Sequence, residues 1–322
     1  MAMAVDPALP KLRNGPERSL AAAFAVTLVV FAAAPFVLYP VFLMQALCFA
    51  LFACAFNLLI GYVGLLSFGH AMFFGWASYV AAHAAKSWGF PPEAALLFAT
   101  LCAAGLGVVA GGIAIRRQGI YFAMITLALA QMMYFVALRV PFTGGEDGIQ
   151  NVPRGRLFGV IDLSNDMTMY VFVLVVVLAG FLFIYRIVNS PFGEVLKAIR
   201  ENELRAVSLG YKTDRYKLVA FVLSATLAGL AGALKALVLH LASLTDVYWT
   251  MSGEVVLMTL VGGLGTLFGP VVGAFLIVAL ENYLASFGQW VLVIQGSIFV
   301  VCVLAFRRGM IGELGNALRI KL

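Results

Sequence analysis

Apolar residues run through this chain in blocks of about the same length, separated by short polar stretches. The blocks fall at 20–38, 41–60, 66–85, 94–115, 119–138, 167–188, 216–239, 252–264, 268–285 and 290–306. Most approach the ~20 residues that an α-helix needs to cross the hydrocarbon core of a bilayer. The block at 252–264 is short for a crossing. The pattern therefore predicts an all-α, polytopic membrane protein of about ten helices, the eighth of them short or re-entrant. Residues 1–19 form a polar tail, 20–306 the membrane domain and 307–322 a second tail.

One polar stretch stands apart. Between Gly193 and Gly210 the sequence reads GEVLKAIRENELRAVSLG, with Glu194, Lys197, Arg200, Glu201, Glu203 and Arg205 lying between two apolar blocks. Val195, Leu196, Ile199, Ala206, Val207 and Leu209 recur within it at roughly helical spacing, which predicts a short amphipathic helix. Pro191 and Phe192 lead in, and Gly210 is a stop signal. Such a helix lies on the bilayer, docks into a partner or is a solvated connector.

Composition agrees with the pattern. The chain is 63% hydrophobic and 11% charged, against roughly 25% charged in soluble domains. The net charge of +6 does not indicate nucleic-acid binding, because the basic residues sit between blocks and not on one soluble face. They report topology instead. With ten alternating crossings and a cytoplasmic N-terminus, Arg116, Arg117, Lys197, Arg200, Arg205, Lys212, Arg215, Arg307, Arg308, Arg319 and Lys321 all fall inside. Outside are Lys86, Arg154 and Arg156, with the acids Glu93, Glu146, Asp147, Asp162, Asp166 and Asp246. Both termini are thus expected in the cytoplasm, and no cleavable signal peptide is evident. Cys48, Cys54, Cys102 and Cys302 lie in apolar runs without metal-ligand spacing, so they read as small apolar filler.

Candidate chemistry is sparse. There is no nucleotide-binding loop of the Gly-x-x-x-x-Gly-Lys-Ser/Thr kind, so the chain is not expected to be an enzyme, and any ATP use must come from a partner. No catalytic residue and no metal site is expected. Glu254 and Glu281 are the acids within blocks and Lys235 the mid-chain base far from an inner end, all near outer helix ends where they can snorkel or pair. The neutral polar residues Asn57, Ser67, Thr126, Gln131 and Thr259, with His70 after a glycine, are the candidates for lining a translocation path. Interhelical hydrogen bonds are the competing role for each. Two glycine-rich passages, 61–70 and 262–270, lead into helices from the inner side and suit close packing or bent backbone. Thr143, Gly144, Gly145, Glu146, Asp147 and Gly148 make a turn-rich outer loop.

Taken in order, GYVGLLSFGHAMFFGWASYVAA from Gly61, GIYFAMITLALAQ from Gly119, TGGEDGIQNVP from Thr143, the run from Gly193 to Gly232 and TLVGGLGTLFGPVVGAFLI from Thr259 resemble the LivM-type permease subunit of branched-chain amino acid ABC importers. The likeness spans about residues 46–306. It implies a type II-like importer permease in the bacterial inner membrane. The implied partners are a LivH-like second permease subunit, two ATPase subunits carrying ATP and Mg, and a periplasmic substrate-binding protein. In this resemblance the 193–210 segment is the coupling helix that seats in the ATPase, and the loop from Thr143 to Gly148 faces the binding protein. The segment Arg200-Glu201-Asn202-Glu203 departs from the Glu-Ala-Ala…Gly motif of many other importers, so their ionic contacts do not transfer. Urea, a short amide or an aromatic or carboxylate solute remain alternative substrates within the family. A stand-alone secondary carrier is the alternative from another class.

Overall fold

A computed structural model describes residues 38–284, residues 31 and 33–36, and isolated positions at 290, 293, 294, 296, 297, 300, 309 and 310. The first predicted span, the tenth, both tails and Cys302 lie wholly or mainly outside the described residues. Ten α-helices are described: α1 (Pro40–Tyr62), α2 (His70–Lys86), α3 (Pro92–Ala114), α4 (Ile120–Arg139), α5 (Asp166–Val188), α6 (Pro191–Glu201), α7 (Glu203–Ser208), α8 (Thr213–Leu239), α9 (Trp249–Gly262) and α10 (Gly269–Leu284). Among the described residues, α1, α3, α4, α5 and α8 are long and apolar enough to cross a membrane. Prolines open α1 and α3, where a missing N–H costs no hydrogen bond.

The two most enclosed of these five helices, α1 and α8, pack against each other at the centre. Helix α8 also lies against α2 and α3, while α1 holds α5 and α10. Small residues make this possible. Gly232 of α8 sits directly against the Phe74 carbonyl of α2, and Gly273 of α10 against the Met258 carbonyl of α9. A Cβ at either position would overlap backbone, so glycine here sets how closely the helices approach. By contrast α3, α4 and α5 bury one face only. Leu101, Val109, Tyr121, Met124, Val171 and Val175 are exposed on them, an apolar belt suited to lipid or a neighbouring subunit.

The third predicted block, 66–85, begins later than its hydropathy suggests: α2 starts at His70. Gly64 turns the chain with φ +82°. The Phe68 N–H then donates to Thr126 Oγ1 at 3.1 Å, and the Gly69 N–H to Ser67 Oγ at 3.2 Å. Side chains thus satisfy backbone that the helix would otherwise pair with itself.

The eighth element is short. Leu241–Ala242 (β4) pairs with Ile149–Gln150 (β1) at the end that carries the 143–148 loop, while Gly265, just beyond α9, meets Asn57 at the other end. Helix α9 has 14 residues, about 21 Å of rise. A non-helical stretch, residues 241–248, precedes it. Its turn, Leu244–Asp246, dips inward until Asp246 and Val247 lie against Gly75. Asp246, in the loop between α8 and α9, is buried, and of the two roles open to Lys235 pairing is the one found: it is buried and ion-paired with Asp246, its Nζ 5.8 and 5.7 Å from the ring centres of Phe49 and Phe74.

Candidate functional site

The polar segment after α5 folds as two helices, where its periodicity predicts one. Pro191 occupies the first turn of α6, and Ser190 Oγ caps it by accepting the Gly193 N–H at 3.3 Å. At Asn202 the backbone is extended (φ −158°, ψ 98°), and its Oδ1 accepts the Arg205 N–H at 3.0 Å to start α7. Gly210 then ends the segment at φ +89°. The break changes which residues face inward. Leu196, Ile199 and Ala206 are buried as periodicity predicts, but Val207 and Leu209 are exposed, and Leu204 is 83% exposed. A strong amphipathic pattern read across Asn202 assigns α7 to the wrong face.

The charges of the segment divide into two sets. Glu194 and Lys197 pair with each other at 2.7 Å on the surface, and Glu201 and Arg205 are also exposed. Arg200, itself exposed, and the half-buried Glu203 also contact the helix bundle. Arg200 Nη1 donates to the Gly61 carbonyl in the last turn of α1. Glu203 Oε1 accepts from Lys217 Nζ at 2.5 Å and from Thr213 Oγ1 at 3.1 Å, both at the start of α8. Lys217 is only 1% exposed, and Asp214 is a second carboxylate near it at 3.5 Å. Sequence reasoning took Lys217 as part of a longer likeness and missed its role; a lysine just inside an apolar block was the available signal.

The two glycine-rich passages meet beside Arg200. Asn57 Nδ2 donates to the Thr266 carbonyl at 2.8 Å, and Asn57 Oδ1 accepts the Gly265 N–H at 3.0 Å. A Cβ on Gly61 would come within 2.8 Å of the Gly265 nitrogen, so this crossing also depends on glycine.

Five of the six path candidates are buried, and they hydrogen-bond within the chain. Asn57 holds the loop before α10. Ser67 and Thr126 hold the non-helical stretch before α2, with Thr126 also donating to the Ala123 carbonyl at 2.9 Å. His70 lies 2.8 Å from Ser224 Oγ, whose single proton goes to the Ala55 carbonyl. The imidazole Nε2 is therefore the donor, tying α2 to α8 and α1. Phe56, Phe73 and Phe221 surround it edge-on. Thr259 donates back to Val255 and Val256 of its own helix. Gln131 alone is half-exposed, on α4.

At the opposite end lies the turn-rich loop. Thr143 points inward: it is fully buried, and its hydroxyl reaches the Ala137 and Val140 carbonyls at the end of α4. Glu146 and Asp147 are exposed, and Gly144, Gly145 and Gly148 all adopt positive φ. Lys86 Nζ donates to the Gln150 carbonyl at 2.7 Å, and Arg154 bridges Asp166 and the Val238 carbonyl. Arg156–Leu157 (β2) and Ile161–Asp162 (β3) form a small hairpin. The Ser164 N–H and hydroxyl hold the Asp162 carboxyl below its usual range.

Comparisons with known proteins agree with this architecture. Residues 39–303 match the family described as branched-chain amino acid transport system / permease component. The chain is similar to the high-affinity branched-chain amino acid transport system permease protein LivM of Escherichia coli, 27% identical over 82% of this chain and 68% of that protein. It is also similar to the ribose import permease protein RbsC of Bacillus subtilis, 29% identical over 56% of this chain and 58% of that one. A probable LivM of Methanocaldococcus jannaschii is 29% identical over 55% and 53%. No solved structure matches. With a family model covering most of its length and several apolar membrane-spanning helices beneath it, the chain belongs to the branched-chain amino acid transport permease family.

Proposed function

We propose that this permease subunit carries branched-chain amino acids inward through a bacterial inner membrane, as one of two related chains of a type II-like ATP-binding-cassette importer. In this reading the chain crosses ten times with both termini in the cytoplasm. Helices α6 and α7 seat on an ATPase subunit that supplies ATP and Mg. The loop around Glu146 and Asp147 receives a periplasmic binding protein. The observation that carries the reading is the exposed apolar edge of α7, Leu204, Val207 and Leu209, set among the charges Glu201 and Arg205 at one end of a membrane bundle. An exposed apolar patch with a charged rim is the form of a protein-docking surface.

The test is co-purification of the chain with its neighbouring gene products, then ATP hydrolysis and radiolabelled leucine uptake in liposomes. Stimulation of both by one leucine-loaded binding protein is the expected result. Uptake by the chain alone without ATP would instead identify a secondary carrier. The likeness to a ribose permease supports running the same assay with ribose, urea and an aromatic amino acid.

A further inference from the structure

We infer that Arg200 is a positioning residue that passes movement of α6 into the membrane domain through its contacts with the bundle. The inference rests on the docking role proposed for α6 and α7, and it divides that segment into two faces.

Arg200 is exposed, but its side chain meets backbone at three points. Its guanidinium donates to the Gly61 carbonyl. That carbonyl belongs to the last turn of α1, where carbonyls lack intrahelical partners and positive charge is favoured. Its methylene stem lies over Gly64, where a Cβ would stand 3.2 Å from Arg200 Cγ. Its Nη1 lies against Gly265, where a Cβ would stand 3.1 Å away. Gly64 and Gly265 both take positive φ, +82° and +74°, so the slot is made from backbone that other residues rarely adopt.

One turn earlier in α1, Asn57 grips the same loop through Gly265 and Thr266. That loop leads directly into α10. Arg200 therefore touches α1 and the approach to α10 together, through groups that Asn57 already holds in register. A displacement of α6 cannot leave both in place while the guanidinium stays in its slot. Leu204 is exposed, and on the docking reading the ATPase covers it. A partner that binds α6 in one position more tightly than in another thereby biases the bundle between two arrangements.

The experiment uses the full importer in liposomes: this chain, its second permease subunit, the ATPases and the binding protein, with radiolabelled leucine as probe. Three variants are compared, Arg200→Ala, Arg200→Lys and Leu204→Glu. For Arg200→Ala the ATPases remain bound in parental proportion, while leucine moved per ATP hydrolysed falls at least about fivefold. Arg200→Lys retains a charged donor for Gly61 but not the planar group in the slot, and it recovers part of the ratio. Leu204→Glu releases the ATPases. Loss of the ATPases from both Arg200 variants, or a parental leucine-to-ATP ratio in either, overturns the inference. Retention of the ATPases by Leu204→Glu overturns the docking reading instead, so the two failures are distinguishable. If Arg200→Ala does not assemble, the ratio measured for Arg200→Lys decides the matter.

Discussion

Helix α8 carries two buried lysines, and each is matched to a carboxylate from elsewhere in the chain, in very different surroundings. Lys217, near its start, pairs with Glu203, whose side chain is still 24% exposed, and Asp214 stands close by as an alternative partner. Lys235, five turns further along, pairs with Asp246, whose side chain is 1% exposed, and its Nζ lies 5.8 and 5.7 Å from two phenyl ring centres. The chemistry is the same, but the dielectric is not. At the Lys217 end the carboxylate reaches water and Asp214 stands by as a second partner. In the interior, removing one partner leaves a charge with nothing to solvate it. The first pair suits a segment that moves, as proposed for α6 and α7; the second suits a fixed seam.

The largest effect is expected from Asp246→Ala, which strands the Lys235 ammonium and should cost about 3–5 kcal/mol. Thermal unfolding in detergent measures it. The double variant Lys235→Met with Asp246→Leu should recover most of the loss, because an apolar pair leaves no charge to desolvate. A double variant as unstable as the single one would show that shape, not charge, dominates the seam. Glu203→Ala comes next, at about 1.5–3 kcal/mol for a hydrogen bond to a charged group. Asp214 should lessen that loss, so adding Asp214→Ala should destabilise further, and additivity would remove the backup role. The smallest effect is that of Glu194→Ala on the surface pair with Lys197, about 0.3–0.5 kcal/mol for pairs at helical spacing. That effect should vanish in high salt.

Much of this was legible in the chain. The apolar blocks located the long helices to within a few residues, because hydrocarbon thickness fixes their length and burial their content. The break at Asn202 was not legible as such: amphipathic spacing continues across it, and only the cap to Arg205 separates α6 from α7. Nor was the late start of α2, since the residues from Leu65 to Phe68 are as apolar as the helix itself. Among the candidate site residues, sequence placed Arg200 and Glu203 in the polar connector but could not say what they touch.

The sequence by itself determined a membrane-embedded bundle, its polar connector and the family to which it belongs, because each of these depends on composition and local order along the chain. Tertiary structure alone decided the pairings. Lys235 and Asp246 are separated by a helix end and a turn, and Arg200, Gly61 and Gly265 by long stretches of chain. Which charges are neutralised inside, and which are left for a partner, follows from how closely glycine lets the backbones approach. No one-dimensional pattern records that distance.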